Sequence, residues 1–239
     1  MLRTGTEPKD PSMVRFVCLS DTHNMTDGLQ VPSGDVLLHC GDFSKRGTPE
    51  QVRHFAAFLA SLHFREKVVI AGNHDTTFDT VHFTKLKEDF ALDEDIESEA
   101  TKALLEGCTY LEDSCTQAMG YKVWGSPWQP AYCEMAFNLP IGPEIAEKWS
   151  KIANDTDILM THGPPALILD TNRSGESTGC PLLRARIREI RPLVHVFGHI
   201  HEAYGVKEQE GTLFLNAATC TRTYQPVNPP IVFDLPLIS

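Results

Sequence analysis

Five short stretches of this chain carry side chains that ligate metal ions or move protons. They are Asp21-Thr22-His23, Gly41-Asp42, Gly72-Asn73-His74-Asp75, Thr161-His162-Gly163 and Gly198-His199-Ile200-His201. Carboxylate, amide and imidazole donors are all represented. In D-x-H and H-x-H, alternate residues tend to point the same way after a strand, so each pair can aim two ligands at one place. Any one stretch arises by chance, and a lone histidine after a strand is more often a hydrogen-bonded core residue. Five in succession, each closing an apolar run, point to one centre of oxygen and imidazole ligands.

The runs that must position them are short and β-rich. Val14–Leu19 stops at Ser20-Asp21, Val36–His39 at Cys40-Gly41-Asp42, and Val68–Ala71 at Gly72-Asn73. Continuous apolar strands suit a sheet buried on both faces, and open α/β sheets build their sites past the carboxyl ends of such strands. Between the second and third runs the sequence predicts a helix. Thr48 is its cap, Pro49 its first residue and Gln51 the partner in a capping box, with Val52, Phe55, Phe58/Leu59 and Leu62 on the core face. Residues 80–106 are expected to be helical and acidic. Further strands are expected at Gln117–Met119, Tyr121–Trp124, Asp157–Thr161, Leu193–Phe197, Thr212–Leu215 and Ile231–Phe233, with helices at Ile145–Ile152 and Pro181–Glu189. No break in composition divides the chain. The expectation is a polar, flexible tail over 1–12 and a single α/β domain over 13–239, with two stacked mixed sheets.

Composition excludes several function classes. Hydrophobic residues at 41% and charged residues at 22% rule out collagen-like, mucin-like and wholly disordered chains. No apolar run is long enough to span a bilayer, and the opening MLRTGTEPKDPS has no apolar signal region, so a cytoplasmic protein without a membrane partner is expected. The formal net charge of −11 argues against long nucleic acid held by bulk electrostatics. Glu88, Asp89, Asp93, Glu94, Asp95, Glu97 and Glu99 supply much of it, as a solvated face or a site for a protein partner. Seven cysteines without a C-x-x-C pair make a disulfide framework or a thiolate zinc site improbable.

D-x-H, G-D, G-N-H-D, H and G-H-x-H, in that order, resemble the calcineurin-like metallophosphoesterases. The resemblance is closer still to the metallophosphoesterase-domain proteins described from brain, with matching stretches from Cys18-Leu-Ser-Asp-Thr-His23 to Asn228-Pro-Pro-Ile-Val-Phe-Asp-Leu-Pro236. It implies a four-layer sandwich, two mixed β-sheets flanked by helices, with two divalent metal ions at the strand ends. By motif, one ion falls to Asp21, His23, Asp42 and His201, and the other to Asp42, Asn73, His162 and His199, with Asp42 bridging. Nitrogen and oxygen donors without thiolate favour Mn, Fe, Co or Zn over Ca; Mn2+ is the first expectation, with Mg also open. The resemblance further makes His74 the general acid for the leaving oxygen, with Asp75 orienting its other nitrogen. It implies hydrolysis of small phosphodiesters, cyclic nucleotides among them. A phosphomonoesterase or protein phosphatase, and a metal-binding scaffold of the same fold, are the rival readings.

Departures narrow this. Lys45 stands where a purple acid phosphatase carries its iron-binding tyrosine and where serine/threonine phosphatases carry aspartate. Arg46 survives from the latter pattern as a candidate substrate contact, against a plain solvated arginine. His39-Cys40 to Arg46 satisfies H-C-x5-R, but Asp42 and Phe43 inside that loop oppose a cysteine-dependent phosphatase. His39 and His195 read as core residues. Arg184, Arg188 and Arg191 read as the polar face of an amphipathic helix, with phosphate binding as the alternative. The aromatics from Trp124 to Phe137 read as packing, with base stacking as the alternative.

Overall fold

The computed structural model describes residues 2–3, 5 and 7–238. The chain runs through β1 (Leu2–Arg3), β2 (Met13–Leu19), β3 (Val36–Cys40), α1 (Pro49–Ser61), β4 (Glu66–Ile70), α2 (Phe83–Asp89), α3 (Ser98–Lys102), β5 (Thr109–Tyr110), β6 (Ser114–Ala118) and β7 (Tyr121–Ser126). It continues through β8 (Gln129–Pro130), β9 (Asn138–Leu139), α4 (Pro143–Ser150), β10 (Ile158–Thr161), α5 (Pro181–Ile190), β11 (Val194–Phe197), β12 (Gly205–Gln209), β13 (Thr212–Asn216) and β14 (Ile231–Pro236). Among the described residues these strands form two six-stranded mixed sheets, β1-β14-β2-β3-β4-β5 and β12-β13-β11-β10-β7-β6, and the small pair β8-β9. In each sheet four consecutive strands are parallel, β2 to β5 in one and β13, β11, β10 and β7 in the other.

Strand alternation builds the layers. Phe16, Cys18, Val36, Leu38, Val68 and Ile70 point between the sheets, where they meet Val123, Ile158, Met160, Val196, Leu215 and Phe233. Their neighbours in sequence, Val17, Leu19, Leu37 and Val69, point outward to the side of Val52, Phe55 and Leu59 on α1. On the other sheet Trp124, Leu159, Phe197 and Phe214 face outward with Ile145 and Trp149 of α4 and Leu183 and Ile187 of α5. Because both faces of each sheet are covered, the parallel strands are mostly apolar, and the α/β sandwich of two mixed sheets flanked by helices follows.

Three local expectations change. The capping box is half formed: Thr48 Oγ1 accepts from Gln51 N at 3.4 Å, but Gln51 Oε1 turns to the amides of Lys45 and Arg46, at 3.2 and 2.8 Å. The acidic segment 80–106 is not one helix. Ala91, with φ of 49°, ends α2; its N–H bonds to Glu88 O and that of Leu92 to Lys87 O, the two bonds of a Schellman stop. Continuing the helix would stack like charges at i,i+4 spacing. Of the stretch expected as a tail, Leu2–Arg3 pair antiparallel with β14, and Lys9 Nζ reaches Asp35 at 2.6 Å. Met1, Thr4, Thr6 and Ser239 lie outside the described residues.

Candidate metal centre

All five ligand-bearing stretches meet where the parallel strands of the two sheets end. Asp21 follows β2, Asp42 follows β3, Asn73 follows β4, His162 follows β10, and His199 and His201 follow β11. Backbone bonds hold the stretches together. Asp21 N donates to Gly41 O and His23 N to Asp42 O, both at 2.9 Å, and Gly198 N donates to His162 O at 3.0 Å. A bridge from Ser20 to Ala218, with Thr219 N donating to Ser20 O at 2.8 Å, ties one sheet to the other at the same level. Asp21, His23, Asp42 and His199 have φ of 51°, 44°, 52° and 68°, a region non-glycine residues seldom occupy. Strain of this kind gathers at sites the surrounding structure over-determines.

Two glycines are required by close approach. A Cβ on Gly198 would collide with Asp21 Oδ2, and one on Gly72 would collide with Asp42 Oδ1 and lie 2.6 Å from His162 Cε1. The ligands converge only because these positions carry no side chain.

The donor atoms group as three overlapping sets, one of them His23, Asp42 and His74. Asp21, His23 and His201 place one ligand atom each within 4.8 Å of one another, as do Asp21, Asp42 and His162. His201 Nε2 is 3.3 Å from Asp21 Oδ1 and 3.3 Å from His23 Nε2; Asp42 Oδ2 is 3.8 Å from His23 Nε2 and 3.5 Å from His162 Nε2. His162 Nε2 is also 2.9 Å from Asn73 Oδ1, while its Nδ1 donates to Cys40 O at 2.8 Å, which leaves Nε2 as the nitrogen that could ligate a metal. His199 lies beside these sets rather than within one: its ring is 5.0 Å from that of His162, and its backbone N–H donates to both oxygens of Asp21. Asp21 is common to the sets of His201 and His162, and Asp42 lies between His23 and His162.

Burial is the largest influence on these groups. It takes His23 down to about 4 and, with His162 beside it, His199 down to about 3. At His162 and His201 the carboxylates of Asp42 and Asp21 outweigh burial, and both rings rise to about 9. The same histidines hold Asp21 and Asp42 below the usual carboxylate range despite their burial. Two buried carboxylates thus rely on two protons for neutrality, and imidazole nitrogens face each other at hydrogen-bond distance. Divalent cations fit this donor set, taking the place of those protons.

The remaining expectations divide. His74 lies at the cluster, one donor atom within 4.8 Å of His23 and Asp42, and its N–H bonds to Asp42 Oδ1 at 2.7 Å. Asp75 does not orient it. The Asp75 carboxyl is buried beneath the loop, accepting from Ser44 N (2.9 Å), Ser44 Oγ (2.6 Å) and Gly72 N (2.8 Å), and burial with Asp42 nearby raises it to about 8. The His74 ring is oriented instead by Lys45 O, 3.0 Å from Nδ1. Arg46 is exposed, with Nη1 donating to Phe90 O at 3.2 Å and its guanidinium over the Phe90 ring. Cys40 is fully buried and its thiol is pushed well above its ordinary value, which removes the H-C-x5-R reading. Trp128 and Phe137 pack in the core.

Sequence reasoning missed Tyr224. Its ring stands edge-on to that of His23 at 4.8 Å, and lies 6.3 Å from His74 and 6.5 Å from His201, while 38% of the residue stays exposed. It comes from the irregular loop after Cys220, whose composition carries no motif.

The model of the calcineurin-like phosphoesterases matches residues 14–203. The chain belongs to that family. The human and mouse metallophosphoesterase domain-containing protein 1 are each 47% identical over 238 residues, covering 96% of this chain and 73% of theirs. Among solved structures, TT1561 of Thermus thermophilus superimposes with a TM-score of 0.54 at 12% identity, over 95% of this chain and all of that one. GAP50, the anchor in the inner membrane complex of Plasmodium, gives 0.51 at 10% identity, over 94% of this chain and 82% of that one. These two likenesses establish the fold alone. Among the described residues no helix is long and apolar enough to cross a membrane.

Proposed function

We propose that this calcineurin-like phosphoesterase is a two-metal phosphodiesterase acting on small diesters. The observation that carries the reading is Asp42, a buried carboxylate set between His23 of one donor group and His162 of the other. Asp21, His23, Asp42 and His201 would hold one ion, and Asp42, Asn73, His162 and His199 the other. When bound, such a pair supplies Lewis-acid charge for phosphoryl oxygens and makes water a stronger acid. Mn2+ is the proposed metal.

The chain's own residues do the rest. Lys45 O accepts from His74 Nδ1, so that nitrogen keeps its proton and Nε2 is the position from which a proton can reach the departing alcohol oxygen. His74 N donates to Asp42 Oδ1, which fixes the proton donor against the carboxylate between the two groups. Tyr224 walls the open side beside His23 and offers a face or edge to an aryl or base portion of the substrate. The proposed setting is cytoplasmic.

Turnover of matched aryl phosphodiester and phosphomonoester substrates by Mn2+-loaded protein tests this. Faster cleavage of the diester is expected. Faster cleavage of the monoester would assign the protein to the phosphatases, and no turnover with both ions bound would leave a metal-binding scaffold.

A further inference from the structure

A second cleft lies between α5 and the turn joining β12 to β13. Its volume is about 450 Å3, and its walls include Arg184, Arg188, Arg191, Glu210 and Phe214. Thr212, also in the wall, is the first residue of β13, whereas the candidate metal ligands follow the last residues of the parallel strands. The cleft is thus at the opposite end of the sheet from the metal centre.

Arg184 is the anomaly. It is 6% exposed, and neither Nη1 nor Nη2 makes a hydrogen bond. Its guanidinium lies over the Phe214 ring, 5.6 Å from the centroid, which sets the plane of the fork. Glu210 Oε1 approaches Nη2 at 3.1 Å as an ion contact, but the carboxylate is committed to Arg188, accepting from Nε at 3.1 Å and Nη2 at 3.2 Å. Burial lowers the Arg184 pKa, and Glu210 only partly offsets that. A guanidinium stays charged nonetheless, so this is a buried cation short of acceptors.

We propose that the cleft is a phosphate-binding site in which Arg184 and Arg188 grip a phosphomonoester or inorganic phosphate dianion. Three guanidiniums against one carboxylate leave two positive charges, matching the nearly two negative charges of a phosphomonoester at neutral pH. The arginine fork matches phosphate oxygens in pairs. The volume falls within the range of small-molecule sites and exceeds what a bare ion needs. Glu210, exposed at the tip of the turn, is the like charge such a ligand must displace or tolerate.

Calorimetric titration of the metal-stripped full chain with inorganic phosphate, and separately with phenyl phosphate, tests the assignment without competition from bound metal ions. One site per chain is expected. Arg188→Ala should weaken binding at least roughly tenfold, as loss of a charge-assisted pair requires. Glu210→Gln should tighten it, and His162→Ala at the metal centre should leave it unchanged. Arg188 is exposed, so its variant tests binding without emptying the core. Absence of binding in both wild type and Glu210→Gln would overturn the proposal. So would binding lost in His162→Ala but not in Arg188→Ala, and so would equal affinity for acetate.

Discussion

His74 Nδ1 lies 3.0 Å from the backbone oxygen of Lys45, and the carboxyl group of Asp75 is turned away from it. A carbonyl can only accept, so this contact fixes the tautomer without lending the ring a negative partner. For the proposed proton transfer, His74→Ala is expected to lower turnover of a diester with a poor leaving group by about 10²–10⁴-fold. A diester with an acidic phenol as leaving group needs less proton transfer and should lose less. Metal content should not change. Rates on a leaving-group series, with bound metal measured on the same samples, check this; an equal loss across the series would remove the proton-donor role.

Asp75 is expected to matter to the fold more than to the proton. Asp75→Ala strands the amides of Ser44 and Gly72 and the Ser44 hydroxyl, each of which now donates to that carboxyl. At about 1–3 kcal/mol for each buried donor left unpaired, stability should fall by roughly 3 kcal/mol or more, and Asp75→Asn should lose less. Urea unfolding of the three proteins measures it.

How far the site was legible in sequence follows from what each residue depends on. The seven candidate ligands could be read because each closely follows a buried parallel strand, and such strands appear as apolar runs. The partner of Asp75 could not, because it depends on how the loop carrying Ser44 folds back beneath Gly72. Tyr224 reaches His23 from far along the chain, out of a loop with no periodicity. β12 escaped notice because Gly205-Val-Lys-Glu-Gln209 is a largely exposed edge strand without apolar alternation. The acidic segment looked helical by composition, and only the left-handed turn at Ala91 shows where α2 stops.

Gly198→Ala should separate folding from metal binding. The added methyl meets the Asp21 carboxylate and the Ser20 side chain, both just past the end of β2. Circular dichroism should be close to wild type, and Mn2+ affinity should drop roughly 10- to 100-fold, the scale of losses when the groups positioning ligands are disturbed. Metal titration of the folded variant decides it, and unaltered affinity would count against the proposed ligand set.

Acid should destabilise the protein from just below neutrality. His39 and His195 are fully buried, and burial lowers each from an ordinary 6.5 to about 3. The folded-state value lies below the unfolded one, so their contribution is complete above pH 6.5 and is lost progressively as pH falls towards 3. Each ring then costs about 1.4 kcal/mol per pH unit over that window. His195 Nε2 is 2.8 Å from Thr161 Oγ1, beside rather than among the candidate metal ligands, so His195→Asn should flatten the slope of stability against pH by about one proton. Unfolding free energies measured from about pH 7 to about pH 4 provide the slopes.

The central claim is a pair of metal ions, held on both sides of Asp42, that enables diester cleavage. It is tested most directly by titrating metal-stripped protein with Mn2+ while counting bound ions and following aryl diester hydrolysis in the same samples. Activity should appear with metal, reach its plateau at two ions per chain, and vanish in Asp42→Ala with loss of both ions. Full activity at one ion per chain, or in the Asp42→Ala protein, would contradict it.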